Sequence, residues 1–113
     1  AYRIPIPNEI SFHLDLKGPS EVFNTFCTSV YVALHRAIQS ILSGECEQAI
    51  VGGVNVISKK EFLEATKAGL YDELLSKNNK TQSFSDDASG YTRCEGAGVI
   101  IIKPVEQSNN DKK

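Results

Sequence analysis

Residues 21–44 read EVFNTFCTSVYVALHRAIQSILSG, and a strand-like pattern gives way to a helix-like pattern at Cys27. The side chains before the cysteine alternate and favour β structure, which predicts a strand from about Glu21 to Phe26. After the cysteine, apolar residues recur at three- and four-residue steps, which predicts a helix over residues 28–43. Gly44 suits the position that ends such a helix.

The position of Cys27 at this junction matters for its chemistry. The first backbone N–H groups of a helix have no partner within the helix, and the helix dipole is positive at that end. Both features favour the thiolate, which is the nucleophilic form of cysteine. The same N–H groups can stabilise a developing oxyanion. The alternative is a buried, inert cysteine, because most free cysteines are buried and do no chemistry.

Composition narrows the class of protein. The 113 residues include 41% hydrophobic and 23% charged residues, which is typical of one small soluble domain. A net charge of −2 gives no electrostatic reason to expect binding to nucleic acid or to an anionic membrane. No apolar run reaches membrane-spanning length, and the first residues lack a signal-type apolar core, so we expect a cytoplasmic location.

The cysteine count excludes two common roles. Cys27, Cys46 and Cys94 are odd in number and widely spaced, so they form neither a disulfide scaffold nor a C-x-x-C pair. His13 and His35 have no metal-ligand spacing with any of them, so no metal site is expected. We expect Cys46 and Cys94 to be small packed residues.

Residues 48–57, QAIVGGVNVI, form a nearly continuous apolar run that predicts a strand covered on both faces. Its two adjacent glycines indicate that another group packs closely there. Ser58 and Glu61 have the spacing of a capping box and predict that a helix follows. The side chains expected to face inward from that helix are Phe62, Leu63, Thr66 and Leu70.

The other segments are shorter. Residues 8–16 fit either a strand or a short helix, and Lys17–Ser20 form a turn. Residues 76–89 are polar and predict a long surface loop.

Near the C-terminus, two strand segments, Tyr91–Cys94 and Val99–Lys103, are predicted around a glycine-rich turn or bulge at Glu95–Gly98. Residues 106–113 are predicted to be a polar tail.

The alternation of strands and helices predicts an α/β fold with a layered sheet. The predicted strand at residues 48–57 needs neighbouring elements on both faces, and this chain has few predicted helices that could cover it. The chain therefore either dimerises or is a piece of something larger.

Seven short motifs follow one another along the chain: LDLKGPS at 14–20, TFCTS at 25–29, VALH at 32–35, SGEC at 43–46, VGGVN at 51–55, KAGL at 67–70 and GYTRCEGAG at 90–98. In this order they resemble the β-ketoacyl synthase (ketosynthase) domains of modular polyketide synthases, which are members of the thiolase-like superfamily. The resemblance covers Asn8 to Val105. TFCTS resembles the family's nucleophile motif T-A-C-S-S, and GYTRCEGAG is similar to G-Y-V-R-G-E-G-A-G.

The resemblance implies a layered thiolase-like fold, present in part, with residues 1–105 as a partial ketosynthase domain and 106–113 as the tail. It also implies that Cys27 is the catalytic nucleophile, which takes an acyl group from an acyl carrier protein as a thioester. A decarboxylated malonyl-type extender then attacks that thioester in polyketide or fatty acid biosynthesis.

No cofactor would bind directly, since the substrate arrives on the phosphopantetheine of the carrier protein. The expected partners are the carrier protein, the remainder of the synthase polypeptide and a second copy, which would pair through residues 21–26.

The chain also departs from the family. The family's condensation step uses two histidines and a lysine that follow the matched region, and neither His13 nor His35 matches them. We therefore expect no condensation by the chain alone. The alternative is a truncated ketosynthase that only dimerises or docks a carrier protein. A cysteine hydrolase is excluded because His35 is eight residues from Cys27, about 12 Å along the helix.

Two substitutions stand out within the motifs. Phe26 replaces the family's usual small residue before the cysteine, and Cys94 replaces a glycine. These changes fit either a divergent, non-elongating ketosynthase or ordinary drift.

Overall fold

The computed structural model describes residues 5–69 and 74–106, with the backbone alone at residues 61 and 62. The elements in chain order are α1 (Ile6–His13), a 3-10 turn (Phe26–Thr28), α2 (Ser29–Leu42), β1 (Ala49–Asn55), α3 (Lys59–Lys67) and β2 (Gly96–Ile102). In the described part of the chain, β1 and β2 pair as a two-stranded sheet. The α/β class expected from the sequence is confirmed.

The chain divides into two compact units. The first contains the residues up to Gly53 and those from Gly98 onward, and the second contains Val54–Ala97. The first unit therefore holds α1, the 3-10 turn and α2, and the second unit holds α3 and the long polar loop.

The segment at residues 8–16, which fitted either a strand or a helix, forms most of α1. Pro7 lies in the first turn of this helix, where the missing N–H of proline costs no hydrogen bond. After the helix, Asp15 adopts a positive φ of 53°. The Ser20 hydroxyl donates a 2.7 Å hydrogen bond to Asn8 Oδ1, which ties the following segment back to α1.

The strand predicted at Glu21–Phe26 is wrong. Residues 21–25 are in neither a helix nor a strand, and Phe26 begins the 3-10 turn. A strand is stabilised by hydrogen bonds to a neighbouring strand. In the described ranges the sheet contains only β1 and β2, so alternating side chains alone do not make this segment a strand.

The predicted helix is confirmed as α2, and its C-terminal end is a Schellman motif. The Glu45 N–H donates to Ser40 O at 2.9 Å, and the Gly44 N–H donates to Ile41 O at 3.1 Å. Gly44 has a φ of +78°, which a glycine adopts without steric cost. The sequence therefore identified both the helix and the residue that terminates it.

A cluster of polar side chains joins α2 to the segments on either side of it. Arg36 Nη1 donates to Ser40 Oγ at 2.7 Å, and Arg36 Nη2 pairs with Glu21 and Glu45, both at 3.0 Å. The hydrogen bond with Arg36 lowers the pKa of Glu45, and the bonds to Glu45 and Glu21 raise the pKa of Arg36. Because these groups lie at the surface, water screens their attraction.

The predicted strand at 48–57 is confirmed as β1, although its faces are not both covered. Val51 is the only buried hydrophobic residue within the described residues. Val54 on β1 and Val99 on β2 are 60% and 65% exposed. The described part of the chain therefore buries Val51 but leaves Ile50 and Val54, on the opposite face of β1, exposed.

The helix predicted after Ser58 is confirmed as α3, which begins at the next residue. The inward orientation of Leu63 and Thr66 is wrong, since both are exposed. The Phe62 side chain and Leu70 lie outside the described residues, so those two predictions stay open.

The predicted loop at residues 76–89 is confirmed, since it forms no helix or strand. The predicted strand Val99–Lys103 is confirmed up to Ile102 as part of β2. The turn or bulge at Glu95–Gly98 is wrong, because β2 is continuous through Gly96 and Gly98, and the predicted strand Tyr91–Cys94 is not among the observed strands. Pairing with β1 keeps these glycines extended and overrides their preference for turns. Tyr91 forms only an isolated bridge with Leu75. Of the predicted tail, residues 107–113 lie outside the described residues.

None of the described helices is both long enough and apolar enough to cross a lipid bilayer.

Candidate functional site

Cys27 is the middle residue of the 3-10 turn Phe26–Thr28, which leads directly into the first turn of α2. Its side chain is an exposed free thiol. The sequence placed the cysteine at the start of this helix, and the structure confirms that position. Backbone N–H groups at such a helix start lack acceptors within the helix and can face a developing oxyanion.

The hydroxyl groups of the two residues that follow Cys27 bond the backbone of the two residues that precede it. Thr28 Oγ1 donates to the Thr25 carbonyl at 2.7 Å. Ser29 Oγ donates to the Phe26 carbonyl at 2.7 Å and accepts from the Thr25 N–H at 2.9 Å. The cysteine is therefore carried on a turn whose flanking residues are bonded to one another. Sequence reasoning missed this role, although Ser and Thr commonly bond the backbone at helix starts.

Phe26, directly before the cysteine, has an unusual backbone conformation. Its φ is +55°, and its side chain is 91% exposed. A left-handed conformation costs an L-amino acid about 1–2 kcal/mol, and the exposed ring gains little packing to offset it. Such strain is often found at functional turns. Here it accompanies the hydrogen bonds from Ser29 that hold the Phe26 carbonyl in place.

The two histidines lie at other places in the fold. His13 is the last residue of α1, and its ring meets the Phe12 ring edge-on with 5.5 Å between centroids. His35 is an exposed residue in the middle of α2, about 12 Å beyond Cys27 by the helical rise. This distance agrees with the expectation that His35 does not act on the thiol.

The other two cysteines have different surroundings. Cys46 is half-buried, and a Cβ placed on Gly18 would lie 3.7 Å from its Cβ, so it packs as expected. Cys94 is exposed, which contradicts the expectation of a packed residue. Its carbonyl accepts a 2.6 Å hydrogen bond from Asn55 Nδ2 within the second unit, which fixes its backbone.

No group of three His, Cys, Asp or Glu side chains in the described segments could hold a metal ion. A cleft of about 240 Å³ belongs to the second unit and is lined in part by Ile57, Ser76, Tyr91 and Arg93. Cys27 belongs to the first unit and is not among the described residues that line this cleft.

Comparisons with known proteins agree on one family. A family model described as "Beta-ketoacyl synthase, N-terminal domain" matches residues 4–108. Polyketide synthase PksR of Bacillus subtilis is 53% identical over 107 residues, which is 94% of this chain and 4% of that protein. Probable polyketide synthase 1 of Dictyostelium discoideum is 45% identical over 105 residues, which is 92% of this chain and 3% of that protein.

Solved structures give the same result. The oxazolomycin ketosynthase domain OzmH KS7 of Streptomyces albus matches with a TM-score of 0.82 and 34% identity. The ketosynthase from module 6 of the bacillaene synthase of Bacillus subtilis matches with a TM-score of 0.81 and 29% identity. Each match covers 93% of this chain and 18% of the solved chain. The chain thus has the fold of part of a thiolase-like ketosynthase domain.

Proposed function

The chain belongs to the β-ketoacyl synthase family, and we propose that Cys27 is its acyl-accepting nucleophile. The observation that carries this proposal is an exposed thiol in a hydrogen-bonded turn that leads into the 14-residue helix α2. A nucleophile that reacts with a group carried by another protein must be accessible. An activated cysteine also benefits from the electropositive start of a helix.

In the proposed step, the Cys27 thiolate attacks the carbonyl carbon of an acyl thioester on the phosphopantetheine of an acyl carrier protein. A new carbon–sulfur bond forms to Cys27, and the bond to the carrier sulfur breaks. The carrier thiolate leaves and takes up a proton, so no oxidant or reductant is needed. Amides at the start of α2 stabilise the intermediate oxyanion. This step makes the protein an acyltransferase.

The next step of the proposed reaction is decarboxylative condensation with a malonyl-type extender, which gives a β-ketoacyl product. The similarity to polyketide synthases supports polyketide biosynthesis over fatty acid biosynthesis. The chain covers only 18% of the solved ketosynthases, and the family resemblance locates the condensing histidines and lysine downstream of the matched motifs. We therefore assign acyl acceptance to Cys27 and assign condensation to the remainder of a synthase polypeptide.

We further propose a homodimer and a cytoplasmic location. Residues 21–25 form neither a helix nor a strand in the described chain, and the dimer that the resemblance implies would pair through this segment. Cys27, Cys46 and Cys94 are free thiols, which fits a reducing compartment.

Intact-protein mass spectrometry tests the proposed nucleophile. The full-length protein that carries this sequence is incubated with an acyl-loaded carrier protein and then weighed. We expect the wild-type protein to gain one acyl group and Cys27→Ala to gain none, because the substitution removes the attacking sulfur. Cys46→Ala is the matched control, and it should still be acylated.

The outcomes separate the two candidate functions. An acyl group on Cys27→Ala at the wild-type level would exclude Cys27 as the acceptor. No mass gain in the wild-type protein, together with carrier binding, would favour a non-catalytic module that only docks the carrier or dimerises.

A further inference from the structure

We infer that Gly53 is a positioning residue for Cys27, because it allows β1 to lie against the first turn of α2. This inference rests on the proposed function of Cys27. Gly53 has no side chain, and this absence lets the turn that carries Cys27 keep its position.

The contact that carries the inference lies within the first unit. A Cβ added to Gly53 would overlap Cγ2 of Val30, far inside van der Waals contact. Val30 is the second residue of α2 and is three residues beyond Cys27. A helical valine has one strongly preferred rotamer, so its methyl group cannot easily turn away. Any side chain at Gly53 must therefore push β1 and the first turn of α2 apart.

The displacement would reach the nucleophile through hydrogen bonds that surround it. Restoring ordinary carbon–carbon contact requires a shift of about 1 Å. Val30 follows Ser29, whose hydroxyl is bonded to Thr25 N and Phe26 O on the N-terminal side of Cys27. Moving the start of α2 therefore moves the turn that carries the thiol. A misplacement of about 1 Å at a reacting group can slow a reaction by about 10²-fold.

The neighbouring glycine provides a matched control. A Cβ on Gly52 would lie 3.5 Å from Val99 Cγ2 and 3.6 Å from Gly98 O, which are ordinary contacts. Neither Gly52 nor Gly53 has a positive φ, so alanine causes no backbone strain at either position. Gly52→Ala and Gly53→Ala are therefore the same chemical change on adjacent residues of one strand, and only the second meets α2.

The test measures the rate of acylation of the full-length protein against carrier concentration. We expect Gly53→Ala to lower the maximal rate about tenfold or more, while the half-saturating concentration stays within about twofold, because the thiol is misplaced and carrier docking is unchanged. Gly52→Ala should stay within about twofold of wild type. The double variant Val30→Ala, Gly53→Ala should recover most of the rate, because it removes the methyl group that alanine meets.

Several results would overturn the inference. One is an equal maximal rate of acylation for Gly53→Ala and Gly52→Ala. Another is a double variant that circular dichroism shows to be folded but that does not recover the acylation rate. If Gly53→Ala does not fold, Val30→Ala and the double variant are compared, and a double variant slower than Val30→Ala by tenfold would contradict the assignment. Alkylation of Cys27 by iodoacetamide in the same variants gives a second readout. It reports the placement of the thiol even if Cys27 proves not to be the acyl acceptor, so failure of the proposed function remains distinguishable.

Discussion

At the scale of single residues, two positions with a positive φ, Phe26 and Gly90, show how backbone conformation restricts the residue type. Phe26 has a φ of +55° and lies next to Cys27, the proposed nucleophile. Gly90 has a φ of +125°, and a Cβ there would lie 2.6 Å from Leu74 O and 2.7 Å from the carbonyl carbon of Leu75. Only a residue without a side chain fits at Gly90, since both the backbone angle and the space exclude a Cβ.

We expect Gly90→Ala to open the base of the loop at residues 76–89. The overlap with Leu74 and Leu75 would break the hydrogen bonds from Tyr91 N to Leu74 O and from Ser76 N to Tyr91 O, both 3.0 Å long. Limited proteolysis with trypsin should then cut after Lys77 several-fold faster than in wild type. Gly96→Ala is the control, because Gly96 has open space and no positive φ. Equal cleavage of both variants would contradict this account of Gly90.

At the scale of elements, helix α2 carries the candidate site at its N-terminal end. Its C-terminal end is held by backbone hydrogen bonds. The Schellman motif needs a residue at positive φ after the helix, which is Gly44 at +78°. Nothing lies within 4 Å of a Cβ at Gly44, so any cost of a side chain there is conformational and not steric crowding by neighbours.

Replacing Gly44 with alanine should lower the free energy of unfolding by about 1 kcal/mol, because alanine is strained in the left-handed region. Urea unfolding, followed by the helical circular dichroism signal, measures this change. Gly98→Ala is the control, since Gly98 also has open space but no positive φ. An effect of Gly44→Ala no larger than that of the control would show that the Schellman motif does not need the glycine.

Local patterns predicted the elements that local interactions determine. The apolar period and Gly44 identified α2, the apolar run identified β1, and Ser58 identified the start of α3. The predicted strand before Cys27 and the predicted turn or bulge at Glu95–Gly98 failed for a shared reason. Whether a segment forms a strand depends on which segment pairs with it, and a partner distant in sequence leaves no trace in local alternation or in glycine content.

The position of the candidate site was predictable from the sequence, but its side-chain contacts were not. The strand-to-helix pattern located Cys27 at the start of α2, and the motifs identified the family. The hydroxyl bonds of Thr28 and Ser29 and the close contact of Gly53 with Val30 were not predictable, because they depend on side-chain rotamers and on the spacing of two elements. The paired glycines at 52–53 did indicate a close contact, although the sequence did not reveal what lies there.

At the scale of the whole molecule, the main feature is how little apolar surface the described residues bury. Val51 is the only buried hydrophobic residue in the described ranges. Every helix and strand carries large apolar side chains that are exposed. Stable domains depend on buried apolar area to offset conformational entropy. The ketosynthases of known structure are much longer, since this chain covers 18% of them.

We therefore expect the 113-residue chain by itself to bind the dye ANS strongly and to melt without a sharp cooperative transition. The reason is that many of its large apolar side chains are exposed in the described residues. Differential scanning calorimetry and dye fluorescence measure both properties, with the full-length protein as the control. A sharp, two-state melt of the isolated chain with no dye binding would contradict this expectation.

The most direct test of the central claim is to locate the acyl group. After reaction of the full-length protein with an acyl-loaded carrier protein, digestion and tandem mass spectrometry identify the peptide and the residue that hold the thioester. The account predicts the acyl group on Cys27 and none on Cys46 or Cys94. A thioester on either of those cysteines, with Cys27 unmodified, would contradict it.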